Sequence, residues 1–235
     1  MSNANFDAEL QVGDRAVPVR ILRSPRARNY RLTVDTTGAV RLSMPARASL
    51  RKALGWAQGQ EAWIRARLDT TPPLILLTNG AVFPFAGRPV TIAWSATASR
   101  RIRLDGDILR VGGAAESVGA RVLRWLKAEA RGTLDSESRM LADRFALPLR
   151  AVGIGDPRSR WGSCSSSGMI RYSWRLILAP PEVRLATVAH ELAHLIHMDH
   201  SPAFHAEHAR LLGTDPAPAR QWLREHGAGL HRITA

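Results

Sequence analysis

The chain has 235 residues, one cysteine and a formal net charge of +13. That length is enough for a sizeable core in one or two domains, and a single cysteine excludes an intrachain disulfide. No apolar stretch is long enough to span a membrane, and the first residues lack the basic start and apolar run of a signal peptide. We therefore expect a cytoplasmic protein with no membrane partner.

The excess positive charge comes mainly from arginine, and most of it lies in residues 1–115. Charge of this kind suits an anionic partner, such as nucleic acid or a phosphorylated substrate. However, no continuous basic tract or RNA-binding aromatic motif accompanies it, so arginines on solvated faces are the simpler interpretation. Nucleic acid bound through the basic N-terminal region is kept as an alternative partner.

The first part of the chain has the pattern of a small sheet followed by a helix. Residues 15–45 predict β-strands, with apolar and polar side chains alternating over 28–44 around a turn at 35–38. This alternation is typical of a hairpin. Ser49 is then placed to cap one helix that runs to about Leu68.

A second β-rich stretch follows, in which residues 101–111 have a clear hairpin pattern around an Asp-Gly turn. A pair of glycines separates this stretch from a helical pattern that runs from Ser117 to about Phe145. We place a domain boundary at this junction. It divides the chain into a β-rich region with one helix, residues 1–115, and a catalytic domain, residues 116–235.

The most informative motif is the sequence His-Glu-Leu-Ala-His at residues 190–194. Histidines four residues apart lie on one face of a helix, so His190 and His194 can bind the same metal ion. Glu191 lies beside them and can take a proton from a water molecule. The helix is predicted to begin near Pro181 and is apolar nearly all round, which is typical of a buried helix. A metal ion explains polar side chains there better than two purely structural histidines do.

His200 is the predicted third metal ligand. It lies too far along the chain to coordinate from the same straight helix, so we expect the helix to end near Met198-Asp199 and the chain to turn back. Ser201-Pro202 then has the pattern of a helix cap followed by a first-turn proline, which places His200 on a turn between two helices. The alternatives are His205, Glu207 and His208 on the following helix, with Glu207 the main rival. His197 is expected to pack nearby without binding the metal.

Upstream, residues 158–178 predict a strand, a Ser-Ser-Ser-Gly turn and a second strand that leads to the metal helix. Arg160, Tyr172 and Arg175 in this stretch are candidates for holding an anionic oxygen of the substrate or transition state. Solvated residues on a strand face are the alternative for each of them. Cys164 is more typical of a small buried residue than of a nucleophile.

Five segments resemble, in order and spacing, the YgjP-like metallopeptidase-domain family of metal-dependent hydrolases. They are Arg-Trp-Gly-Ser-Cys at 160–164, Trp-Arg-Leu at 174–176, Ala-Pro at 179–180, His-Glu-Leu-Ala-His at 190–194 and His-Ser-Pro-Ala-Phe at 200–204. The similarity extends over roughly residues 15–225, and the family is similar in turn to SprT-like and WLM zinc metalloproteases. Ser173, Asp199 and His205 depart from residues common in the family, but the three ligands and the glutamate are intact.

Together, the pattern and the resemblance predict an α+β fold: a β-rich N-terminal region, then a zincin-like catalytic domain with a β-hairpin packed on the metal helix and further helices. The predicted function is a zinc-dependent hydrolase, a metallopeptidase in which His190, His194 and His200 hold Zn²⁺ and Glu191 is the general base. One alternative is a metal-dependent phosphohydrolase acting on nucleoside triphosphates. A second is a DNA-binding module with a structural zinc, although a closed structural site needs four ligands and no base.

Overall fold

The structure, a computed structural model, describes residues 7–35 and 38–235. The chain divides into two compact units, Met1–Pro73 and Leu74–Ala235. The architecture is α+β, as the sequence predicted, with strands predominating before residue 112 and helices after it. The predicted boundary between residues 115 and 116 falls inside the second unit, because the strands and helices on its two sides share one hydrophobic core.

The first unit contains a four-stranded sheet and two helices. The strands are Ala8–Val12 (β1), Arg15–Ser24 (β2), Arg31–Val34 (β3) and Val40–Pro45 (β4), in the order β1-β2-β4-β3. The helices are Leu50–Gln58 (α1) and Glu61–Asp69 (α2). Alternate residues of β4, Val40, Leu42 and Met44, are fully buried and pack with Ala53 and Ile64 of the helices. The period-2 pattern of the strands therefore builds this small core.

The predicted hairpin over residues 28–44 is present, since β3 and β4 pair antiparallel. Thr36 and Thr37 of its turn lie outside the described residues. The predicted single helix is wrong, because it is divided into α1 and α2 at Gly59, a residue with poor helix propensity. Ser49 caps α1 as expected, with its side chain accepting a hydrogen bond from the backbone N–H of Lys52.

The second unit begins with strands Ile75–Leu76 (β5), Val82–Phe85 (β6), Arg88–Trp94 (β7), Arg103–Asp105 (β8) and Ile108–Val111 (β9). It continues with the long helix Val118–Arg144 (α3), then strands Ala151–Gly155 (β10), Gly162–Cys164 (β11) and Met169–Ser173 (β12). Its last elements are helices Pro181–Ala193 (α4), Pro202–Leu212 (α5) and Ala217–Leu230 (α6), and strand Ile233–Thr234 (β13). The sheet orders are β6-β7-β9-β8, β10-β12-β11 and β13-β5.

Helix α4 lies at the centre of the second unit. Its residues are buried on nearly all sides, as their apolar character predicted, and it packs against α3, α5, α6 and β11. The strand predicted to run to Leu178 ends at Ser173, where the Ser173 hydroxyl accepts a hydrogen bond from the N–H of Arg175 and begins a short 3-10 helix. This helix, Trp174–Leu178, leads directly to the first turn of α4.

The connection from α4 to α5 brings the chain back beside α4. Helix α4 begins at Pro181, in the first turn where proline is favoured. Its last helical residue is Ala193, so the predicted end near Met198-Asp199 is wrong, and the chain leaves the helix in turns from His194 onwards. Ser201 caps α5, because its hydroxyl accepts a hydrogen bond from the N–H of Phe204. In the described part of the chain, no helix has the length and apolar character needed to cross a bilayer.

Candidate metal centre

Three histidines converge at the end of α4. His190 and His194 are one helical turn apart on the same face, and His200 lies in the connection just before the Ser201 cap of α5. One ring nitrogen of each histidine lies within 4.8 Å of the others. The Ser201 cap therefore fixes the position of His200 opposite His190 and His194, which the helix places on one face.

The distances between these nitrogens suit a tetrahedral metal ion. Nε2 of His200 lies 3.4 Å from Nε2 of His190. Two nitrogens bound to zinc at about 2.0–2.1 Å with tetrahedral angles would lie about 3.3 Å apart. Two imidazole nitrogens whose lone pairs face each other at this separation can both bind one cation. The histidine group therefore fits the metal ion that the motif predicts.

Phe204 supports the three imidazoles from one side. Its ring centroid lies 4.9 Å from that of His190, 4.5 Å from that of His194 and 4.7 Å from that of His200. Phe204 is fully buried on the first turn of α5. The packed aromatic ring therefore restricts the orientations that these side chains can adopt.

Backbone and burial set the protonation of the group. Nδ1 of His194 donates a hydrogen bond to the carbonyl oxygen of His197 at 2.9 Å, which leaves Nε2 as the acceptor. Burial and the neighbouring His208 and His194 lower the pKa of His190 to about 3, and burial also lowers the pKa of His194. Both imidazoles are therefore neutral at pH 7, the form in which histidine binds a metal.

Glu191 is almost completely buried beside the same cavity. Burial raises the pKa of its carboxyl group to about 7, and the nearby positive charge of Arg160 opposes that rise. A carboxyl group with a pKa near neutral can both accept and donate a proton at physiological pH. The side chain is thus chemically suited to proton transfer.

These residues line one cavity of about 490 Å³. Its walls include the apolar side chains of Trp161, Ala186, Met198, Ala219 and Leu223, and the cationic side chains of Arg160 and Arg220. The volume lies within the ~300–1,000 Å³ that is usual for small-molecule and peptide-residue sites.

Two further residues line this cavity: His208, which the sequence offered only as a rival third ligand, and Arg220, which was not singled out. His208 is buried on α5, donates a hydrogen bond from Nε2 to the carbonyl of Ala186 at 2.9 Å and leaves Nδ1 without a partner among the described residues. A histidine four residues after buried Phe204 was a weak signal for the same buried face. Arg220 comes from α6, and no local pattern distinguished it from other surface arginines.

The three upstream candidates occupy different positions. Arg160 lines the cavity, whereas Tyr172 and Arg175 are not among the residues that line it. Tyr172 is fully buried with its hydroxyl 3.1 Å from that of Ser138, and Arg175 forms an ion pair with Asp156. Both side chains are thus engaged by protein neighbours.

The alternative third ligands lie outside the histidine group. Glu207 forms an ion pair with Arg210 at 2.6 Å, and exposed His205 has its ring centroid 6.4 Å from that of His200. His197 takes part through its backbone carbonyl, which accepts the hydrogen bond from Nδ1 of His194. Cys164 is half-buried and lines the cavity, and burial raises the pKa of its thiol to about 11, which keeps it protonated.

An α+β fold with three histidines able to hold a metal ion beside a buried glutamate is the arrangement expected of a metal-dependent hydrolase. The chain matches the family described as YgjP-like, metallopeptidase domain, over residues 28–226, and it belongs to that family. The resemblance predicted from the sequence motifs is therefore confirmed. No curated protein and no solved structure gave a significant match to the chain.

Proposed function

We propose that this protein is a zinc-dependent peptidase in which His190, His194 and His200 hold the metal ion. The observation that carries the proposal is the separation of 3.4 Å between Nε2 of His190 and Nε2 of His200, close to the tetrahedral value. Three protein ligands are the number typical of a catalytic zinc site, which keeps a position open for water or substrate. Membership of the metallopeptidase-domain family supports the same class of reaction.

The chemistry divides between the bound ion and the protein. A zinc ion held by the three histidines would supply a Lewis acid that makes a water molecule acidic near pH 7. The Glu191 carboxylate then accepts the proton of the attacking water and delivers it to the nitrogen of the leaving amine as the peptide bond breaks. The backbone carbonyl of His197 holds the His194 ring in the tautomer that presents Nε2.

Arg160 and Arg220 favour a second candidate function, hydrolysis of nucleoside triphosphates. Both side chains line the cavity, and guanidinium groups bind phosphate oxygens well. The same metal site and Glu191 would serve that reaction, with phosphorus as the electrophile. The two candidates differ in their products, because one releases new peptide termini and the other releases inorganic phosphate.

The metal assignment is tested by zinc analysis of purified variants. Wild-type protein is expected to contain about one zinc per chain, and His194→Ala is expected to lose it. His205→Ala is the matched control, since this exposed histidine lies outside the group and its loss is expected to leave zinc bound. Equal zinc in wild type and His194→Ala would contradict the ligand assignment, and loss in His205→Ala would support the rival ligand.

The reaction class is tested with Glu191→Gln, which keeps the shape of the side chain but cannot accept the proton. Zinc content is expected to remain, while turnover falls by about 10²–10⁴-fold. Unfolded protein, DNA-bound protein and nucleoside triphosphates are assayed in parallel. Release of phosphate without peptides would favour the second candidate, and DNA retention with no turnover would favour a DNA-binding module.

A further inference from the structure

The cavity beside the histidine group has an unbalanced set of charges. Among the described residues that line it, Glu191 provides the only carboxylate. Two arginines, Arg160 and Arg220, supply fixed positive charge. A metal dication in the site would add to that charge, so the cavity as a whole attracts anions.

Arg160 lies in the loop just before β11 and is exposed at the cavity. Its guanidinium group is close enough to Glu191 to oppose the rise in the pKa of that carboxyl group. Within residues 7–35 and 38–235, no hydrogen bond or ion pair engages the Arg160 side chain. Its five N–H donors therefore remain available to a ligand.

Arg220 reaches the same cavity from the first half of α6. The same cavity is lined by His190 and His208, so the guanidinium group shares it with the histidine group. Like Arg160, it forms no ion pair with an acidic side chain in the part of the chain that the structure describes. The two arginines come from separate parts of the chain, and both line this cavity.

The remaining walls concentrate the effect of these charges. Trp161, Ala186, Ala219 and Leu223 contribute apolar surface to the cavity that the arginines and the histidine group also line. Low-dielectric walls of this kind focus the field of nearby charges. An unpaired cation at such a wall is best satisfied by a planar anion on the bound ligand.

We propose that the cavity selects peptides that carry a carboxylate close to the scissile bond, held by Arg160 and Arg220. This inference rests on the proposed peptidase function. The carboxylate belongs either to an Asp or Glu side chain of the substrate or to the C-terminus of the peptide. In both cases the guanidinium fork makes the same paired hydrogen bonds to two oxygens.

The inference is tested with six matched peptides. They have Asp, Asn or Lys at the position beside the cleaved bond, and each of the three is made with a free and with an amidated C-terminus. Cleavage of the favoured acidic peptide is expected to exceed that of the neutral one by about tenfold in kcat/KM. A preference that follows Asp identifies the side-chain carboxylate, and one that follows the free C-terminus identifies the terminal carboxylate. Equal cleavage of all six peptides would overturn the proposal.

Variants connect the preference to the arginines. Arg160→Gln and Arg220→Gln are each expected to reduce the preference for the carboxylate peptides, and the double variant is expected to abolish it. Arg220→Glu is expected to shift the preference towards the Lys peptide. Arg224→Gln is the matched control, one turn further along α6 and absent from the cavity lining, and is expected to keep the wild-type preference. A preference unchanged in the double variant would overturn the assignment.

Binding separates this inference from the proposed reaction. The same peptides, fluorescently labelled, are titrated into zinc-loaded Glu191→Gln protein, which decides the charge preference even if no peptide is cleaved. Tighter binding of carboxylate peptides, weakened by raising the salt from about 0.05 to about 0.5 M, supports the inference. Equal binding of the acidic and neutral peptides, or no binding, overturns it. Absence of cleavage together with selective binding would contradict only the peptidase function.

Discussion

Gly162 of β11 faces the Glu191 side chain of α4 so closely that a Cβ atom at residue 162 has no room unless that side chain moves. A Cβ atom added to Gly162 would lie 2.6 Å from both Cγ and Cδ of Glu191. The backbone angle of Gly162 is not in the left-handed region, so its conformation alone does not require glycine. The carboxyl group of Glu191 is thus held in space that the missing side chain leaves open.

Gly162→Ala is therefore expected to displace the Glu191 carboxyl group from its position beside the histidines. A shift of about 1 Å in a catalytic group lowers turnover by about 10²-fold, whereas zinc content stays near the wild-type value. Turnover and zinc content are measured on the same preparation. Gly153→Ala on β10 of the same sheet is the control, since an added Cβ there meets no atom within 4 Å. Turnover of Gly162→Ala equal to that of Gly153→Ala would contradict the role assigned to this close approach.

The local part of the site was predictable from the sequence, because it depends on helix geometry. The spacing of His190 and His194 places them on the same face of any helix. Pro181 marks the first turn of α4, and the Ser201 cap marks the start of α5 just after His200. The α+β character followed in the same way from the periodicity of the strands and helices. Each of these inferences needed only residues a few positions apart.

The parts that escaped prediction depend on contacts between distant segments. Gly162 meets Glu191 only when β11 packs on α4, and Arg220 reaches the cavity only when α6 folds back on α4. Strand β10 has two glycines in five residues and pairs parallel with β12, so it lacks the alternation of a hairpin strand. Strands β6, β7 and β9 share one core with the later helices, and core membership of this kind is likewise not a local property.

Arg184 and Glu137 join α4 to α3 and are expected to contribute strongly to stability. The Arg184 guanidinium donates hydrogen bonds to the Glu137 carboxylate at 2.7 and 3.0 Å, and Arg184 is only 6% exposed. Glu137→Ala leaves this buried cation unpaired and is expected to lower the free energy of unfolding by about 3–5 kcal/mol. Urea denaturation measures the change.

Asp135→Ala provides the comparison for that variant. Asp135 forms an exposed ion pair with Arg139 one turn along α3, and its removal is expected to cost no more than about 1 kcal/mol. Both variants remove one carboxylate from the same helix. The main difference between them is therefore whether the ion pair that is broken is buried or exposed. Equal losses in the two variants would mean that burial of Arg184 does not govern the stability of the α3–α4 contact.

The buried hydroxyls of Tyr172 and Ser138 are expected to matter for folding and not for turnover. They lie 3.1 Å apart, and both residues are fully buried. Tyr172→Phe leaves the Ser138 hydroxyl without its partner and is expected to lower the free energy of unfolding by about 1–3 kcal/mol. The double variant Tyr172→Phe, Ser138→Ala is expected to lose less than the sum of the two single losses, because the two hydroxyls interact. Thermal and urea unfolding measure these changes. A large loss of turnover in folded Tyr172→Phe would instead identify Tyr172 as a substrate contact.

Cys164 lies in the cavity wall and is expected to be a slow nucleophile in the metal-free protein. Burial, and then the negative charge of Glu191, raise the pKa of its thiol to about 11, so the protonated thiol persists through neutral pH. Because the thiolate is the reacting form, alkylation by iodoacetamide at pH 8 is expected to be about tenfold slower than in urea-unfolded protein. This factor allows for the greater nucleophilicity of a more basic thiolate.

The dependence of that alkylation on pH distinguishes a raised pKa from simple steric protection of Cys164. A raised pKa predicts a rate that keeps increasing above pH 9, with a midpoint near 11 in the folded protein. Steric protection would lower the rate by the same factor at every pH and leave the midpoint where the unfolded chain has it. A folded-state midpoint at or below about 9 would therefore exclude the effect of burial on this thiol, since a neutral form favoured by desolvation must hold its proton to higher pH.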